Sequence, residues 1–100
     1  MYGLIGCIRA NPGTGARLVE ILGESTEAMP GCISYVVAVD SKDTDAIWVT
    51  EVWDSPESHT ASLALKQVQD AIARARPLIA GFDSHVETRP ISIQSGTPAP

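Results

Sequence analysis

Two apolar runs constrain this chain more than anything else in it: CISYVVAV at 32–39 and AIWVTEVW at 46–53, with the polar DSKDTD between them. In the first run both alternating sets are largely apolar, Ile33, Tyr35, Val37 and Val39 on one side and Cys32, Ser34, Val36 and Ala38 on the other. A strand of that kind belongs to a sheet covered on both faces. The second run presents Ile47, Val49, Glu51 and Trp53 on one face and Trp48, Thr50 and Val52 on the other. The pair reads as a β-hairpin with residues 40–45 as its loop. Asp40, Asp43 and Asp45 invite a calcium reading, but the loop has neither the glycine nor the distal glutamate of a calcium-binding hand, so a solvated turn is expected.

The rest of the chain supplies what a hairpin needs to become a fold. Tyr2 to Ala10 is a short apolar strand with soft spots at Gly3 and Gly6. NPGTG breaks it, and a helix is predicted from Thr14 to Ala28, with Leu18, Ile21, Leu22, Ser25 and Met29 at helical spacing. Pro30-Gly31 ends that helix. After Trp53, Ser55-Pro56-Glu57 is a helix-start signature: a side-chain cap, a proline with no N–H to strand and an early carboxylate. The second helical region runs from Pro56 to about Ala75, as one helix or two pieces, and a last strand covers Phe82 to Ile91.

The order is β-α-β-β-α-β. Right-handed crossovers then give a ferredoxin-like split βαβ fold of the α+β class, with sheet order 4-1-3-2. Residues 1–91 form one domain, and 92–100 are a flexible C-terminal tail or exchanged arm. Helices cover one face only, so Ile5, Cys7, Trp48 and Val52 would be left in an open apolar patch. A second copy packed sheet to sheet is expected to cover it, which makes the protein a homodimer.

Composition narrows the function. One hundred residues with a net charge of −5 make one acidic domain, not suited to nucleic acid or anionic membranes. No apolar run reaches a membrane span, and no basic stretch precedes the first apolar residues, so neither a span nor a secretory signal is expected. Cys7 and Cys32 lack the spacing of a zinc or redox pair and read as small hydrophobes, with no metal site. A reducing, cytoplasmic setting fits them.

Gly31-Cys32 followed by Tyr35, then EVWDSPE at 51–57 and IARARPLI at 72–79, resembles the antibiotic biosynthesis monooxygenase domain family, in order and over Tyr2 to about Ile91. The resemblance implies a dimeric α+β barrel with a pocket between the sheet and helices of each subunit, on the face of Val49, Glu51 and Trp53. It implies oxygenation of a small aromatic substrate (an anthrone, a hydroquinone or a related polyketide) by dioxygen, with no cofactor. A non-catalytic barrel that binds a small hydrophobic ligand is the alternative. Where the haem-degrading branch carries asparagine, tryptophan and histidine, this chain has Gly6, Ser62 and Ile72, so haem is not expected. Of the anthrone-oxygenating pattern, Trp53 is kept, His59 stands in place of a tyrosine and Val49 in place of an asparagine.

By this resemblance His59 and Trp53 are the candidate catalytic residues, and Tyr35, Val49, Glu51 and Leu63 the candidate substrate-binding walls. An imidazole suits a base that works near pH 7 on a phenol, and the Trp53 indole offers a flat wall and an N–H for a substrate oxygen. Drawn as one straight helix, however, the second helical region buries Ala61, Leu65, Val68, Ile72 and Ala75, and His59 points away from them. Only a break near residues 62–66 turns it inward. Glu51 needs a partner, for which Arg9, Arg74 and Arg76 are candidates, and His85 reads as a dimer-face or edge residue.

Overall fold

A computed structural model of the chain describes residues 1–24 and 29–94. Its elements are β1 (Tyr2–Ala10), α1 (Gly15–Glu24), β2 (Cys32–Asp40), β3 (Asp43–Trp53), α2 (Pro56–Ser62), α3 (Lys66–Ala75), a 3₁₀ turn (Arg76–Leu78) and β4 (Ile79–Thr88). The strands form one antiparallel sheet in the order β2-β3-β1-β4, the ferredoxin-like arrangement of an α+β fold. No described helix is long and apolar enough to cross a membrane.

The boundaries differ from the sequence reading where local hydrogen bonds decide them. Asp40 pairs with Asp43, so the hairpin turn is only Ser41-Lys42 and β3 begins earlier than Ala46. The three aspartates of this turn are each engaged. Asp40 accepts from the Trp48 indole at 3.0 Å, Asp43 from Arg9, and Asp45 from the backbone N–H of Gly13 and Gly15 at 3.1 and 3.0 Å. The last strand starts at Ile79, because Asn11 ties the preceding turn down through the carbonyls of Leu78 and Pro77. The predicted continuation of α1 through residues 25–28 lies outside the described residues, as do residues 95–100 of the tail.

Register assigns the faces. Tyr2, Leu4, Gly6 and Ile8 of β1 lie opposite Trp53, Glu51, Val49 and Ile47 of β3, and this set faces the helices. Two core clusters form there. Leu18 and Ile21 of α1 pack with Ala10, Ile47, Ala71 and Ala75 at one end. Trp53, 1% exposed, packs with Met29 and Val68 at the other. On the opposite face Val36 and Val86 are exposed and Ile5, Trp48 and Val52 half-buried, as the sequence predicts. Cys7 is the exception on that face, since it is buried within the single chain.

Gly31 positions the junction that leads into α2. It has φ of 83°, and a side chain there would meet Ser58 Cβ at 2.6 Å and Asp54 Oδ1 at 2.7 Å. Its carbonyl accepts from the Asp54 N–H at 2.9 Å, which fastens the end of β3 to the start of β2. Gly15 leaves room for a close approach of α1 to the Thr44 carbonyl. Gly31→Ala is expected to destabilise the fold by about 2 kcal/mol or more, combining the left-handed backbone cost with the clash, read as a lower urea midpoint with an unchanged slope.

Candidate functional site

The break in the second helical region controls this site. Leu63, Ala64 and Leu65 donate to carbonyls three residues back, which tightens the end of α2 into a turn. The buried Ser62 hydroxyl donates to the His59 carbonyl at 2.6 Å, satisfying an acceptor the helix would otherwise use. Leu65 then turns extended (φ −68°, ψ 137°) and α3 starts afresh. The phase of the buried stripe resets. Ser62, Val68, Ala71 and Ala75 point inward, whereas Ala61 and Ile72, assigned to the buried stripe of a straight helix, are exposed.

With that reset His59 faces the sheet. Its ring lies 5.4 Å from that of Trp53, edge-on at 65°, and 6.0 Å from that of Tyr2. The Glu51 carboxylate is its nearest charge, with Oε1 3.9 Å from Nε2, and the two side chains are only 23% and 18% exposed. Glu51 Oε1 also accepts from the Trp53 indole N–H at 3.1 Å. Two sequence expectations are corrected here. Glu51 is partnered by Trp53 and His59 and not by an arginine, since Arg9 pairs with Asp43 and Asp83 and Arg74 with Glu24. The indole N–H offered to a substrate oxygen is already spent on that carboxylate.

These groups line a cavity of about 130 Å³, bounded by Tyr35, Glu51, Trp53, His59 and Leu63 with Leu22, Met29 and Ile72. Five of the six residues singled out in the sequence meet in it. The sixth, Val49, lines an adjoining chamber of about 170 Å³ that shares Leu22, Tyr35 and Glu51. Gly6 makes that second chamber. It sits in the sheet between Val49 and His85, and its missing side chain leaves the floor open. A Cβ there would lie 3.8 Å from His85 Cδ2, in ordinary contact.

His85 is only half placed by the sequence reading. It stands exposed on the edge strand β4, as one of the two readings had it, but its side chain lies on the helix side, where it lines this chamber with Phe82, and not on the outer face. Simple alternation puts Asp83 and His85 on one face, but the β1–β4 register shifts between Cys7 and Ile8. Asp83 therefore turns to the opposite side and binds Arg9. No sequence signal marks that bulge.

The electrostatics are those of a largely apolar pocket with one partly buried carboxylate. Burial pushes the Tyr35 phenol up to about 12, and Glu51 and Cys32 add to the shift. Burial likewise raises the Cys32 thiol, with Glu51 adding to it, so this cysteine stays protonated and behaves as a small apolar group. Both cysteines are free. Among the described residues, no three His, Cys, Asp or Glu side chains gather as a metal-ligand set.

The model of one protein family, described as antibiotic biosynthesis monooxygenase, matches residues 1–74. A solved structure from Chloroflexus aurantiacus, provisionally named an antibiotic biosynthesis monooxygenase, is 63% identical, with 94% of this chain and 96% of that one covered at a TM-score of 0.91. A similarly named protein from Deinococcus radiodurans is 22% identical over 98% of this chain and 100% of its own, at a TM-score of 0.76. A Pseudomonas aeruginosa protein shares the fold at 18% identity, with 91% and 94% covered and a TM-score of 0.80. No protein of curated function matches the chain.

The phenol of Tyr35 gives a pH prediction. It keeps its proton longer in the folded chain than in the unfolded one, where it titrates near 10. Its contribution is whole below about pH 10 and is lost as pH rises towards 12. Stability measured by urea unfolding is expected to fall over that window in the native sequence and to fall less in Tyr35→Phe. Parallel profiles would contradict the assignment.

Proposed function

We propose that this chain, which belongs to the antibiotic biosynthesis monooxygenase family, is a cofactor-independent monooxygenase of a small hydroquinone or anthrone, with His59 as the base. The observation that carries the reading is the half-buried His59 imidazole, set in an apolar cavity against Trp53 and 3.9 Å from the Glu51 carboxylate.

The chemistry asks little more of the protein. His59 takes a hydroxyl proton from the ring, and the resulting imidazolium faces Glu51 at ion-pair distance. The electron-rich anion then passes one electron to dioxygen, and the two radicals recombine at a ring carbon. Loss of water from the peroxide leaves the oxidised product. For a naphthohydroquinone the balance is one hydroquinone plus one dioxygen to one hydroxyquinone plus one water. The substrate supplies all four electrons, so no external reductant enters. Tyr35, held protonated by burial, supplies an O–H towards the anion, while Trp53, Val49 and Leu63 serve as walls and Glu51 fixes both rings. Removal of water from such a cavity strengthens each of these contacts.

We further infer that two copies pair through the outer face of the sheet, where Val36, Val86, Trp48 and Val52 make an apolar surface that a lone domain exposes to water. The pairing would also close the barrel suggested by the family.

Oxygen uptake with a panel of hydroquinones and anthrones tests the reaction. His59→Ala is expected to lower kcat/KM by about a hundredfold to ten-thousandfold while anaerobic ligand binding is retained. A panel that consumes no oxygen would leave only ligand binding, and a variant as active as the parent would remove His59 as the base. For the pairing, Val36→Lys combined with Val86→Lys is expected to halve the mass seen by sedimentation equilibrium, and a monomeric parent protein would refute it.

A further inference from the structure

Beyond the two chambers lies a third and larger space. A groove of about 450 Å³ runs between α3, the 3₁₀ turn and β4, over Ile8, Leu22, Ile72, Ile79 and Phe82. It shares Ile8, Leu22 and Phe82 with the Gly6 chamber, and Leu22 and Ile72 with the His59 cavity. The three are therefore neighbours that share walls, with Glu51 and His59 at one end and the groove, apolar but for Arg76, at the other. Arg76 is the only charged residue among those lining the groove.

That arginine stands apart from most others in the chain. Arg9, Arg17 and Arg74 are each paired with a carboxylate. Arg76 has no such partner among the described residues, although the chain has 12 acidic residues to offer. Arg89, which also lacks one, lines none of the three spaces. An unpaired guanidinium beside an apolar floor suits a ligand that ends in an anion, because its planar fork binds a carboxylate through two parallel hydrogen bonds.

We propose that the substrate is an aromatic acid: a hydroxylated ring system whose carboxylate lies remote from the reacting hydroxyl and is bound by Arg76. The proposal rests on the His59 cavity being the substrate site. The reacting ring lies against Trp53 and His59, the apolar body crosses Leu22 and Phe82, and the carboxylate emerges at Arg76, still partly hydrated. Arg76 is then a specificity residue and takes no part in the oxidation.

Calorimetry without oxygen tests this with two probes: naphthohydroquinone, and the same molecule with a carboxylate on the ring remote from its hydroxyls. The acid is expected to bind about tenfold or more tightly than the neutral compound at low salt. Arg76→Gln removes that preference and leaves neutral binding unchanged, whereas Arg76→Lys keeps part of it. Equal binding of the two probes, a preference that survives Arg76→Gln or one indifferent to salt overturns the proposal, as does a failure of both probes to bind. Should Arg76→Gln misfold by circular dichroism, Arg76→Lys and the salt series decide. Oxygen uptake separates this inference from the proposed reaction. Binding that depends on Arg76 without uptake removes the oxygenase and keeps the acid site, and uptake of the neutral compound with no Arg76 effect does the reverse.

Discussion

The hydrogen bond from the Trp53 indole to Glu51, 3.1 Å long and between two residues on one face of β3, is the interaction on which the site depends. A carboxylate removed from water is costly unless a donor meets it. Here the donor is two residues along the same strand, so the pair needs no distant partner and is made as soon as β3 is extended. The bond fixes the plane of the indole, and Met29 and Val68 then close around that ring. It also leaves the same carboxylate oxygen within 3.9 Å of His59 Nε2. Core packing and site electrostatics therefore rest on one contact.

The order of the elements was legible because each leaves a local mark. The hairpin is carried by alternation at 32–39 and 46–53, and the start of α2 by Ser55, whose side chain accepts from the Ser58 N–H at 3.2 Å. What escaped the sequence is decided by contacts of another range. The break after Ser62 needs no glycine or proline, because a serine hydroxyl and three tightened N–H bonds produce it. The face of His85 depends on how β4 slips against β1, a relation between strands far apart in the chain. Glu51 was given a charged partner by analogy with buried acids in general, and a neutral indole donor one pleat away was passed over. The shared face of Val49, Glu51 and Trp53 was readable from alternation, then, but the directions of His59 and His85 were not.

The two faces of the sheet carry different burdens. The helix side holds two cores with open space between them, and that space survives because Gly6 adds nothing to the floor while Leu22 and Tyr35 bridge above it. The outer side is broadly apolar, and Arg9 is gripped at its margin by Asp43 and Asp83. Those two carboxylates come from β3 and β4, the strands on either side of β1, so one guanidinium spans all three.

The two bonds that Asp45 accepts from the N–H groups of Gly13 and Gly15 bear on how the molecule opens. The first turn of α1 is closed by a side chain from the hairpin, and Gly15 leans on the backbone of Thr44 with no room for a side chain between them. Helix and hairpin are thereby joined at the point where a helix ordinarily frays first. The N-terminus of α1 cannot exchange its amide protons for deuterium without also letting go of the hairpin. Protection there should rise towards that of the strands, so that α1 and the β2–β3 pair melt as one cooperative unit and not as a helix peeling from a sheet.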